Sequence, residues 1–184
     1  MKIKITLILF LLSGYCLAGT NSSEEILKLL KNVDRKEKVL EVKEITVFGT
    51  SEVKKILAHI HEFSNLEIVH FRGYAGSLLK NLNKLQNLKC VELVFPGVVD
   101  LEAIASLKNI IFLKIMPVND KEIEREKLLK TIMTLKNLKG LDLDIYYGDN
   151  YVDQENLQQV IDSLPNLQLL TCEVHRAQTR NLDC

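Results

Sequence analysis

Leu82 to Leu93 reads LNKLQNLKCVEL, and its apolar residues recur in the same register along the chain. The pattern is apolar-x-x-apolar-x-Asn-apolar-x-x-apolar-x-apolar. Four further copies fit without a slip: Ile60 to Phe71 (IHEFSNLEIVHF), Ile104 to Ile115 (IASLKNIIFLKI), Ile132 to Leu143 (IMTLKNLKGLDL) and Ile161 to Cys172 (IDSLPNLQLLTC). The first half of each copy spaces apolar residues three apart, as on one face of a helix. The second half alternates, as in a strand buried on one side. Each copy is therefore read as a helix end, a corner and a short strand. The corner Asn (Asn65, Asn87, Asn109, Asn137, Asn166) tolerates the left-handed backbone that commonly ends a helix, and its short side chain can bond nearby backbone.

The copies start at residues 60, 82, 104, 132 and 161, giving periods of 22, 22, 28 and 29 residues. That range and the second halves of the copies resemble the leucine-rich-repeat family. Leu66-x-x-Val69-x-Phe71, Leu88-x-x-Val91-x-Leu93, Ile110-x-x-Leu113-x-Ile115, Leu138-x-x-Leu141-x-Leu143 and Leu167-x-x-Leu170-x-Cys172 look like the LxxLxL core of that family. Val42-x-x-Ile45-x-Val47 looks like a sixth, degenerate copy. The Asn or Cys usual three residues after the last apolar position is replaced by Thr50, Tyr74, Pro96, Val118, Tyr146 and His175. The resemblance thus implies an α/β solenoid, a horseshoe arc with a parallel sheet on its concave face and helices on its convex face, without the usual side-chain ladder at that bend. A lone repeat has too few apolar side chains to offset the entropy of ordering it, so the units must stack on one another.

The flanks read differently. Lys2 and Lys4 precede an apolar run from Ile5 to Leu12, and Cys16-Leu17-Ala18 offers small residues at a cleavage site before Gly19. Residues 1–18 are expected to be a cleaved secretory signal, the run being too short for a membrane span. Lipidation at Cys16 is the competing reading, weakened by the bulky Tyr15. Residues 19–38 are expected to form an N-terminal capping helix, from the Ser22/Glu25 capping box, and a charged connector, Asp34 to Lys38. Residues 39–176 are expected to hold about six repeats, and residues 177–184 a tail. N-caps for the return helices are expected at Ser51, Ser77, Asp100, Asp120 and Asp153.

The whole chain of 184 residues is balanced in charge, and losing Lys2 and Lys4 with the signal leaves a net charge of −2. That balance, without a basic stripe, argues against a nucleic-acid partner. No zinc, serine-hydrolase, phosphate-loop or dinucleotide motif is present, so neither cofactor nor metal is expected. His59 and His61 point in different directions on a helix, and His70 and His175 stand isolated in sequence.

Side chains flanking the strand core should line the concave face in three columns. They are Glu44, Ile68, Cys90, Phe112, Gly140, Leu169; Thr46, His70, Glu92, Lys114, Asp142, Thr171; and Phe48, Arg72, Val94, Met116, Asp144, Glu173. Strands lie about 4.8 Å apart, so column neighbours can touch. Ile68, Cys90 and Phe112 form an apolar strip, which is either a contact site or a surface shaded by Arg72 and Lys114. Asp142 and Asp144 with Glu173 suggest an acidic patch for a basic partner rather than a catalytic pair. Tyr146, Tyr147 and Tyr151 sit in a long loop of paratope-like composition, with Tyr74 on the same rim. The candidate partner-binding residues are therefore Ile68, His70, Phe112, Lys114, Asp142, Asp144, Tyr146, Tyr147 and Tyr151. Cys172 is paired with Cys184 as a candidate disulfide that would clip the tail over the last repeat, and no catalytic residue is expected. In the leucine-rich-repeat family the curved sheet typically binds protein, so the resemblance implies a non-enzymatic recognition module, and the signal segment makes it an expected secreted or extracytoplasmic one. The alternative is a structural envelope or matrix protein that self-associates through its C-terminal edge, which makes a homo-oligomer possible.

Overall fold

The computed structural model describes residues 21–31, 35–73, 76–94, 101–116, 125–147 and 154–176. The expected signal, the tail with Cys184, and Tyr74 and Tyr151 lie outside them.

Among the described residues seven parallel strands form one sheet in strict sequence order: β1 (Asn21–Ser22), β2 (Glu44–Phe48), β3 (Ile68–Arg72), β4 (Cys90–Val94), β5 (Phe112–Met116), β6 (Gly140–Tyr147) and β7 (Leu169–Arg176). Every consecutive pair is hydrogen-bonded and parallel. Parallel neighbours require a crossover on one side of the sheet. Those crossovers carry α3 (Thr50–His59), a 3-10 run (Gly76–Lys84), α4 (Leu101–Ser106), α5 (Arg125–Ile132) and α6 (Gln154–Ser163). At the N-terminal end stand α1 (Ser23–Lys31) and α2 (Arg35–Glu41). The arrangement is a leucine-rich-repeat solenoid, with its core between sheet and helices.

Burial follows the template. Ile45, Val47, Val69, Phe71, Val91, Leu93, Leu113, Ile115, Leu141 and Leu143 point inward and are at most 1% exposed. Their alternating neighbours Thr46, His70, Glu92, Lys114 and Asp142 face the other side, half-buried. Period-two alternation with one face covered fixes the register, because a slip of one residue would turn every core side chain outward.

The corners repeat at the level of single hydrogen bonds. The amides of Leu66, Leu88, Ile110, Leu138 and Leu167 donate to the carbonyls of Phe63, Leu85, Leu107, Leu135 and Leu164, each three residues back. At the residue just before each strand, the carbonyls of Lys43, Glu67, Lys89, Ile111 and Lys139 each accept two amides of the next repeat at 2.8–3.1 Å. The asparagines do more than turn a corner. The side-chain amides of Asn65, Asn87, Asn137 and Asn166 donate to the carbonyls of Leu40, Ser64, Lys108 and Lys136 at 2.8–3.0 Å. Each acceptor belongs to the preceding repeat, so these side chains tie successive corners together.

Three local expectations change. The connector expected at Asp34 to Lys38 overlaps α2, whose Val39 is buried. Helix α3 starts at Thr50 behind Gly49, with φ of 84° and no side-chain cap, so Ser51 is not the N-cap. Gly49 occupies a left-handed conformation that suits glycine, and the helix opens from it with the Val53 amide donating to its carbonyl. Residues Tyr146 and Tyr147 belong to the backbone of β6, in register with His175 and Arg176, and not to a loop. The capping box of α1 is made: the Ser22 amide donates to Glu25 Oε2 at 2.8 Å, and the Glu25 amide to Ser22 Oγ at 3.4 Å.

Candidate functional site: the concave sheet

Backbone register brings the three columns together. Glu44, Ile68, Cys90, Phe112, Gly140 and Leu169 are successive Cα partners, as are Thr46, His70, Glu92, Lys114, Asp142 and Thr171. In the third column Phe48, Arg72, Val94 and Met116 are in register, and Asp144 pairs with Glu173.

His70 is not isolated. Its Nδ1 lies 2.6 Å from Oε2 of Glu92, and its Nε2 lies 3.3 Å from Oε1 of Glu44. The first contact is a short hydrogen bond. The second is close enough for an ion pair but is not a hydrogen bond. Glu44 is a buried acid at 7% exposure, on a face where its column neighbours are apolar. The carboxyl of Glu92 is held below the usual carboxylate range chiefly by the His70 hydrogen bond, with Lys114 and Arg72 helping and burial opposing. Sequence reasoning missed the contact because His70 stands 22 residues from Glu92, although the column order already made them neighbours.

Charge alternates farther along the same row. Lys114 Nζ lies 2.8 Å from Oδ2 of Asp142, both being mostly covered. Asp142 is thus neutralised by its neighbour and does not stand as part of an unopposed acidic patch. At the corner below, Lys89 and Glu67 pair at 2.7 Å, which lowers the Glu67 carboxyl and raises the Lys89 amine through their shared hydrogen bond. That pair is largely exposed and adds little stability.

The apolar strip lies half-buried. Ile68, Cys90 and Phe112 are intermediate in exposure. Phe112 turns its ring over Gly140: a Cβ at Gly140 would lie 2.5 Å from the ring's Cδ2. Glycine is therefore required there by the close approach of the ring, which in turn is shaded by the sheet. Among the described residues, the exposed aromatic on this face is Phe48, at 52%. The guanidinium of Arg72 sits 5.3 Å from its ring centroid. Nothing in the repeat template singled out Phe48, because the template fixes which face a residue takes and not what its neighbour leaves uncovered.

Among the described residues no group of three His, Cys, Asp or Glu is arranged to hold a metal ion. A cavity of about 190 Å³ lies on the helical side, lined by Leu129, Lys130, Met133, Asn156 and Gln159, away from the concave rows. Cys172 is half-buried, and its expected partner Cys184 lies outside the described residues.

No protein-family model matches the chain, and no curated protein matches it. Among solved structures it is similar to an internalin (inlF) from Listeria monocytogenes, with 14% identity, a TM-score of 0.45, and 82% of this chain and 47% of that one covered. It is also similar to an internalin C2 (inlC2) from the same organism, with 19% identity, a TM-score of 0.40, and coverage of 78% and 57%. The chain spans about half the length of these internalins. What establishes its fold is its own geometry: parallel strands in sequence order, crossovers on one side, and a corner repeated bond for bond.

Proposed function

We propose that the chain is a non-enzymatic recognition module that meets a protein partner through the concave sheet, with His70, Lys114 and Asp142 in the contact row beside Ile68 and Phe112. The observation that carries this reading is the composition of that face. Five strands present a continuous row of half-buried side chains whose charges alternate and are matched in pairs, His70 with Glu92 and Lys114 with Asp142. Such a surface is rigid before it meets a partner, and preorganised groups lose less entropy on binding. The carboxylates of Glu92 and Asp142 are each engaged by a neighbour in the same row, as in cross-strand pairs. Asp144 and Tyr146, two and four residues on from Asp142 in β6, are proposed to extend that surface. The apolar segment and small-residue site before Gly19 support export, either secreted or held outside the cytoplasm. Among the described residues no helix is long and apolar enough to cross a membrane.

One observation favours a second reading, self-association through the C-terminal edge. Leu167, Leu170 and Cys172 occupy template positions that are fully buried in the preceding repeat, yet all three are half-buried. An edge strand with partly covered core residues invites pairing. Light scattering across concentration, with and without reductant, separates the two. A monomer at every concentration supports recognition; a dimer or ladder supports assembly, through cysteine if reductant dissolves it and through the edge if not.

A further inference from the structure

Resting on the recognition reading above, we propose that Phe48 and Arg72 form the anchor of the binding surface, and that this anchor takes a protein segment presenting a carboxylate beside an apolar or aromatic side chain. Among the described residues, the large apolar side chains with high exposure are Phe48 and Leu40, at 52% and 45%. Leu40 lies on α2, at the edge of the corner ladder. Phe48 lies on the concave sheet, in register with Arg72. The next residue in its column, Val94, is buried. The ring is therefore exposed at the end of its row, where its only in-row neighbour among the described strands β2 to β5 is a cation.

Arg72 is half-exposed and lies over the Phe48 ring at 5.3 Å, a cation–π geometry that holds the plane of the guanidinium. Its ion pair is loose. Nη2 stands 4.0 Å from Oε1 of Glu92, while Oε2 of the same carboxylate is committed to His70 at 2.6 Å. A guanidinium carries five N–H donors in a rigid fork, and among the described residues those of Arg72 make no hydrogen bond. A flat cation held by an aromatic ring, with its donors unspent, is suited to bidentate capture of a carboxylate. Glu44 and Glu92 flank His70, and Lys114 is paired with Asp142. Arg72 is the group at this end of the face with hydrogen-bond donors to spare, so complementarity selects a planar acceptor of carboxylate geometry. The exposed ring beside it offers apolar contact area, and an aromatic with an arginine is the composition in which binding energy concentrates.

The test uses the full chain, immobilised, and a phage-displayed library of random peptides. Binders are expected to carry Asp or Glu within a few positions of a large apolar or aromatic residue. Their affinity is expected to fall at least tenfold with Arg72→Glu and with Phe48→Ala, and several-fold with Arg72→Lys, which keeps the charge and loses the fork. Both side chains are exposed, so thermal unfolding of these variants should match that of the parent chain. A library selected on the Arg72→Glu chain should shift to Lys and Arg. Basic binders to the parent chain, or binders indifferent to Arg72→Glu and Phe48→Ala, would overturn the anchor. If such binders were still lost with Thr171→Arg, which places a bulky cation on the concave row, the recognition reading would stand without it. If no binder responded to any of these variants, or none were selected, both would fall.

Discussion

The Glu92 carboxylate accepts a short hydrogen bond from His70 in the folded chain and none in the unfolded one. Its folded value is thereby lowered from the ordinary 4.5, so its stabilising effect is complete above that value and is lost as pH falls through the lower folded value. Glu92→Gln should therefore cost about 1–3 kcal/mol near neutral pH, and the gap should narrow on acidification. Urea unfolding of both chains at about pH 6 and about pH 3 measures it; a gap that did not change with pH would contradict the assignment. Residue placement on the concave face was legible in the sequence, because a two-residue period and repeats in register leave no freedom in which column a side chain joins. Contacts within a column were less legible. They depend on how far a side chain reaches: His70 touches acids on both flanking strands, whereas Phe112 folds down over Gly140 and so covers part of the strip it was expected to expose.

At the scale of elements, the corner does what no single repeat can. Four asparagines each hand their side-chain amide to the preceding repeat, next to a carbonyl that accepts two backbone amides. The sequence announced the asparagine and its period. It did not announce the acceptor, because a carbonyl 23 to 30 residues earlier has no residue-type signature. Asn137→Ala should remove about 0.5–1.5 kcal/mol. Asn87→Ala should do the same, and the two losses should add, since the corners share no partner. Denaturant unfolding of the singles and the double checks this; a double that cost no more than one single would mean the ladder is not made of independent links. The crossovers were harder to foresee in detail. The crossover after β3 is the 3-10 run Gly76–Lys84, that after β4 holds only the short α4, and the longer repeats hold α5 and α6. Helix α2 was hidden by its charges: Arg35 to Lys38 reads as a solvated connector until Val39 and Val42 are seen buried against the first repeat.

For the whole molecule, the core is continuous from Ile26 to Leu164 and thins at the last strand, where Leu167, Leu170 and Cys172 are only partly covered. In a solenoid each unit is covered by its neighbours, so the repeat at the edge of the described sheet is the least covered of them. Repetition made the architecture readable, and the same repetition says little about a partner, because surface residues are the ones the template leaves free. The concave face serves as a binding surface only if the strands lie in the order and register described. Backbone nuclear Overhauser contacts in the isotope-labelled chain test that directly. The expected result is that Val91 shows cross-strand contacts to both Val69 and Leu113, and Leu141 to both Leu113 and Leu170, in the parallel pattern. Antiparallel contacts, or pairing between strands that are not consecutive in sequence, would contradict the solenoid and every surface built upon it.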